Sequence, residues 1–378
     1  MKKHLFVLIA VAAILAGTSC PAEDKTQVSA RSGLHYEWWG SNDDASGTQF
    51  YVPVKVAASR SDFTVSVLGA YMFTQVNPED GKRRSLSQMS DTKLNLSYRL
   101  YDKLPLDVLF GLGFNLPTGH TDLTQSQMTL LVPPDLFSIP YFGEGFNINP
   151  TIVLAKEWDG WTAGVGVGYT WKGEYDYNFE IKDYDPGDLV TVTAEIDREL
   201  SPNLLARLFA QYIHYSKDTV HGEDFYQEGD VRLIGTGLSY SRDTWDLAFT
   251  VTGIFRDKSR LSDGPTLPIV TEDRKSHGNE FNAGLAYRYR TDAKTALKAS
   301  LVLLYIGEND YPEDSPNFAG KREKATLGCG IDRILAENLT GSLGIEGFVM
   351  ADEENWYHPD EDVTYYGISL SALVSKKF

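Results

Sequence analysis

Residues 161–171 read WTAGVGVGYTW. Trp161, Ala163, Val165, Val167, Tyr169 and Trp171 fall on one face, and Thr162, Gly164, Gly166, Gly168 and Thr170 on the other. A period of two is a β-strand. An aromatic at each end of the apolar face suits a strand that crosses a bilayer, with amphipathic rings at the two interfaces. A half-buried strand of a soluble sandwich would alternate in the same way, so the decision rests on how often the pattern returns.

It returns along the whole chain. The alternation recurs at 49–57, 63–71, 93–101, 107–115, 147–155 and, less sharply, 188–196. It continues at 204–213, 232–240, 245–255, 280–289, 296–305, 325–331 and 339–348. The last stretch, YYGISLSALVSKKF, sets Tyr366, Ile368, Leu370, Ala372, Val374 and Phe378 in one phase, with Gly367 on the other face. With LHYEWW at 34–39 as a weaker first member, there are sixteen such stretches. A spacing of about 22 residues per strand lies in the range of bacterial transmembrane barrels.

The connections alternate as well. Short turns, such as WDG at 158–160, separate long acidic loops at 76–91, 116–145, 173–187, 215–230, 257–278, 307–323 and 350–362. Outer-membrane barrels have short periplasmic turns and long extracellular loops. The expected fold is therefore an all-β transmembrane antiparallel barrel of about 16 strands over residues 30–378, with 14 the alternative count. Both termini are expected in the periplasm.

Composition agrees with an exported envelope protein. Two Lys at the start, an apolar run from Leu5 to Ala16 and small residues up to Ala22 have the layout of a secretory signal peptide. Cleavage after Ala22 removes residues 1–22 and leaves a short tail at 23–29; lipid attachment at Cys20 is the alternative. The formal net charge of −17 argues against nucleic acid, whose phosphates call for Lys and Arg. The expected location is the outer membrane. The expected partners are outer-membrane lipid, the barrel-assembly machinery met through the C-terminal strand, and a small solute of unknown identity. A homo-oligomer is left open.

By phase, Lys55, Arg99, Glu195, Arg207, Gln211, Glu280, Asn282, Arg288, Arg290, Lys298 and Glu346 face inward. Charges of both signs belong in a solvated interior and are costly against lipid. They either form interior salt bridges or line a path for polar or anionic solutes, with Arg99, Arg207, Arg288, Arg290 and Lys298 as a candidate basic stripe. The loop 116–145 departs from its neighbours. Its segment MTLLVPPDLFSIPYF is largely apolar, and exposed apolar loops are costly unless they bury against something. Folding into the lumen would make Leu130, Leu131, Leu136, Phe137 and Phe142 a constriction; a surface cap or a subunit contact are the alternatives.

The strand 107–115 running into Leu116, Pro117, Thr118 and Gly119 resembles the outer-membrane barrel family linked to the meta-cleavage pathway of phenol degradation. That family is similar in turn to barrels that import long-chain fatty acids and aromatic hydrocarbons. The resemblance implies passage of aromatic or hydrophobic compounds. The Asn-Pro-Ala plug motif of the hydrocarbon importers is absent from the sequence. Tyr366 and Phe378 resemble the terminal assembly signal of such barrels. The leading expectation is a channel or transporter for small solutes. A structural or partner-binding barrel serving an envelope complex is second, and a surface hydrolase third. No Gly-x-Ser-x-Gly or His-Glu-x-x-His motif occurs, so no enzyme activity, cofactor or metal is expected.

Overall fold

The computed structural model describes residues 26–78, 81–101, 103–262, 267–355, 358 and 361–378. The proposed signal peptide with Cys20, and residues 23–25 of the short tail, lie outside the described residues.

The wall begins with β1 (Gln27–Ser41), β2 (Ser46–Arg60), β3 (Phe63–Asn77), β4 in two segments (Arg84–Met89 and Thr92–Leu100) and β5 (Asp107–Leu116). It continues with β6 (Asn147–Trp158), β7 (Trp161–Lys172), β8 (Leu189–Ser201), β9 (Leu204–Tyr215), β10 (Val231–Ser241) and β11 (Trp245–Arg256). It ends with β12 (Glu280–Arg290), β13 (Thr295–Ile306), β14 (Arg322–Ala336), β15 (Leu339–Asp352) and β16 (Val363–Lys377). Each strand pairs antiparallel with the next, and β16 pairs with β1 from Ser29↔Lys377 to Ser41↔Tyr365. The result is a closed barrel of 16 strands. Closure satisfies the backbone groups that an open edge would leave bare.

Register fixes the two faces. Leu343↔Ala372 and Ile345↔Leu370 carry the outward phase of β16 into β15, and the same bookkeeping runs round the wall. Outward side chains are apolar and uncovered: Val165 is 52% exposed, Val167 46%, Leu343 59% and Val374 48%. A closed barrel with an apolar outer surface is built to be solvated by lipid.

Three boundaries differ from the sequence reading. The first strand is far longer than 34–39 and begins at Gln27, inside the expected tail. The segment 84–89 is not loop: it pairs with Tyr71–Val76 and extends β4, leaving 78–83 as the connection. Its outward residues are Ser85, Ser87 and Met89, so it lacks the apolar face that betrays a strand. The connection 42–45 is short although it stands at the long-loop end. At that end, 184–185, 218–220, 223–227, 260–261 and 270–271 join the outer loops in a second, five-stranded sheet.

Candidate functional site

The loop 117–146 does not stay outside. Leu130 is 1% exposed, Leu136 4%, Phe137 4% and Phe142 3%, and Leu131 is partly buried beside them. They pack on Trp39, Tyr51, Met72, Val76, Met350 and Tyr365, all of which face inward by register. The apolar segment therefore lies inside the barrel mouth against β1–β4, β15 and β16. Phe137 meets the Trp39 ring edge-on at 6.2 Å. Burying each such side chain stabilises by about 1.5–3 kcal/mol, which explains an apolar sequence in a loop.

Polar clamps set where the segment lies. The Ser138 N–H donates to Glu37 Oε2 at 2.9 Å, and its hydroxyl donates to the same carboxylate. Gln49 acts as a short strand edge: its Nε2 donates to the Ile139 carbonyl at 3.0 Å, and its Oε1 accepts from Ile139 N at 3.3 Å. On the far arm, Asp135 accepts from Arg322 Nη1 at 2.8 Å, and its carbonyl accepts from Lys324 Nζ. Arg322 also grips Asp352 with two contacts at 2.9 and 2.7 Å.

The neck of the loop is gathered by Asp91, in the two-residue break of β4. Its carboxylate accepts from Gly119 N at 2.7 Å, Glu144 N at 2.8 Å and Asn115 Nδ2 at 2.7 Å. Thr118 Oγ1 donates to the Ser90 carbonyl at 2.8 Å. The Leu-Pro-Thr-Gly turn is thus the root at which the chain leaves the wall and turns inward. Between the returning segment and the wall lies a cavity of about 320 Å³, lined by Leu68, Lys93, Asn115, Ile139, Pro140 and Phe142 among others.

All eleven lumen candidates stand on the inward face by register, and the structure gathers only some of them. Arg288 lies directly opposite Lys298, and Asp332 on β14 bridges the two at 3.7 and 2.7 Å. Arg290 pairs with Asp246. Arg288, Lys298 and Asp246 border a cavity of about 470 Å³ at the short-turn end, which Glu346 also lines. Arg207 is three strands away, held by Asp197 at 3.0 Å and Glu195 at 3.2 Å. Glu280 is 3.5 Å from Arg256 and accepts from Asn282 at 2.7 Å. Gln211 lies beside Thr193 on β8, and Arg99 lies across the barrel on β4, opposite Leu109. The five cations do not form one stripe. Tyr366 faces outward with its ring 5.7 Å from Trp38, and Phe378 is 68% exposed at the end of the closing strand.

The sequence reading missed Glu37, Gln49, Asp91, Arg322 and Asp352. Glu37 and Gln49 do sit in the inward phase, but their partners lie 101 and 90 residues away. Asp91 falls inside a stretch read as loop.

Residues 140–261 match the family described as putative MetA-pathway of phenol degradation. The match begins after the Leu116–Gly119 turn and covers about a third of the chain. No curated protein matches the sequence. Solved structures similar to it include a deltaS2 mutant of the TodX monoaromatic hydrocarbon channel, at 11% identity and TM-score 0.45, covering 94% of this chain and 91% of that one. The anion-selective porin of Comamonas acidovorans is 12% identical with TM-score 0.44, covering 94% of this chain and all of that one. The outer-membrane protein OmpT of Vibrio cholerae is 11% identical with TM-score 0.42, covering 95% and 100%. The chain is an outer-membrane β-barrel that resembles the phenol-degradation MetA-pathway family over residues 140–261, from the end of the inward loop through β11.

Proposed function

We propose that the protein is an outer-membrane channel that passes small solutes beneath the inward loop, and that apolar or aromatic molecules are the class it favours. One observation carries the reading: an apolar segment folded into the mouth leaves a cavity of about 320 Å³ between itself and the wall. That volume suits a molecule of one or two rings. Ile139, Pro140, Phe142 and Leu68 supply an apolar lining, and Lys93 and Asn115 supply polar contacts on one side. Export with cleavage after Ala22 belongs to the same proposal; the mature chain would then begin at Glu23, which N-terminal mass spectrometry reads directly.

The test is replacement of residues 128–142 by a Gly/Ser segment. In planar bilayers the replacement should raise single-channel conductance and admit larger solutes. In vesicles it should slow uptake of monoaromatic compounds relative to sugars of similar size. Identical conductance, solute cut-off and aromatic uptake would place the segment outside the pathway.

A further inference from the structure

The clamp on Asp135 continues to a histidine outside the wall. Arg322, with a side chain only 12% exposed, holds Asp135 and Asp352 together. Asp352, 2% exposed, takes one further contact: His358 Nε2, on the connection 353–362, stands 3.0 Å from its Oδ2. His358 is itself 7% exposed, and its Nδ1 lies 2.8 Å from the Glu361 carbonyl.

Both ring nitrogens therefore face oxygen acceptors. Neither an ionised carboxylate nor a carbonyl can donate, so only the imidazolium, with N–H on both sides, satisfies both. The neutral ring has a different partner ready. Asn355 Nδ2 lies 3.1 Å from the same Nε2, and its N–H can donate to the lone pair that deprotonation exposes. Charge points the same way. As imidazolium His358 sets a second cation beside Arg322 against the buried Asp352 carboxylate, and on losing its proton it withdraws that partner.

Among the described residues, the other charged groups nearby have partners of their own. Lys324 of β14 meets the Asp135 carbonyl, Glu37 of β1 holds Ser138, and Glu346 stands further down β15. From β16 the Tyr365 ring lies 6.5 Å from the imidazole. On the connection itself, Glu353 pairs with Lys321 at 3.3 Å, and Asp362 accepts from Glu354 N at 3.2 Å.

We propose that His358 is the proton-sensing end of a latch: as imidazolium it completes the set that aligns Asp352 and Arg322 on Asp135, and on losing its proton it frees the far arm of the inward loop. Burial of the ring opposes protonation, but the Asp352 carboxylate and the Glu361 carbonyl outweigh it, so the pKa of His358 is raised. A raised value means that the stabilisation is full below the ordinary histidine pKa of about 6.5 and is lost as pH rises through the folded value. The latch is closed in acid and opens towards alkaline pH.

That opening alters flow rests on the channel reading, so the experiment reads the loop and the current separately. A spin label on Thr129→Cys, in a Cys329→Ser background, reports loop mobility in the intact protein in lipid vesicles. Bilayer recording of the same protein reports gating. With His358 intact, label mobility and current fluctuations should both rise through a single transition above pH 6.5. His358→Gln, which cannot carry the proton, should lose the transition and resemble the alkaline state throughout. Asp135→Asn cuts the link to the loop and leaves His358 in place, so it should lose the transition too. A label whose mobility ignores pH, or a transition retained in either variant, overturns the latch. A label that responds in a barrel that passes no current upholds the latch and overturns the channel reading.

Discussion

At the scale of single residues, Gly119 shows how tightly the loop is rooted. A Cβ at this position would stand 2.3 Å from the Phe142 carbonyl oxygen and 2.8 Å from Asp91 Oδ1. The first obstacle is backbone and cannot swing aside. Gly119→Ala should therefore destabilise the folded barrel by about 1–3 kcal/mol, the usual range for overpacking. Gly284, an inward glycine of β12 with open space around it, is the control. Gly284→Ala should change stability by less than about 0.5 kcal/mol. Urea titration of the vesicle-reconstituted protein compares the two, and equal costs would remove the steric account of the turn. Facing is tested at Leu343 and Ser342. Leu343→Arg should cost about 2–4 kcal/mol if the site lies near the bilayer midplane. Ser342→Arg points into the lumen beside Asp332, its register partner, and should be mild. Equal losses would mean that the two faces are exchanged. This alternation was the most legible feature of the sequence, because phase alone assigns facing. The clamps were not legible: Arg322 and Asp135 are 187 residues apart, and nothing local to either announces the other.

At the scale of elements, β16 shows what a closing strand has to do. It pairs with β15 on one side and β1 on the other, and the Phe378 N–H reaches the Val28 carbonyl at 2.8 Å. Its outward residues Tyr366, Leu370 and Val374 are uncovered. The terminal Phe378 adds little packing to the folded state, since 68% of it is exposed. A role in recognition during assembly would make its loss visible in yield and leave stability nearly unchanged. Deleting Phe378 should lower the heat-modifiable folded fraction in outer membranes while leaving the unfolding midpoint of the purified protein close to wild type. An unchanged folded fraction would remove the residue from assembly. Elements also mark where the sequence could not be read. The segment 84–89 alternates, yet its outward Ser85 and Ser87 give no apolar stripe, so it passed for loop. The inward loop gave the opposite signal: apolar composition where a loop should be polar, and its burial inside the mouth accounts for that mismatch.

At the scale of the molecule, the distribution of charge matters more than its total. Inward charges on the wall are largely paired: Arg207 with Asp197 and Glu195, Arg288 and Lys298 with Asp332, Arg290 with Asp246. Paired charges set little net field along the lumen. The net charge of −17 has to be carried largely elsewhere, and the outer loops carry much of it. Residues 351–362 hold six acids and no Lys or Arg, and 174–188 hold six acids against one Lys. An acidic mouth over a nearly neutral wall concentrates cations at the entrance and repels anions. Reversal potentials under a KCl gradient should therefore show cation preference at low salt. The preference should shrink as ionic strength approaches 1 M, where the screening length falls to about 3 Å. Replacing Asp360, Glu361 and Asp362 by their amides should reduce the low-salt preference and leave the high-salt conductance unchanged. Anion preference at low salt would mean instead that the Arg288–Lys298 cluster governs the path, and that its pairing with Asp332 is too weak to quench it.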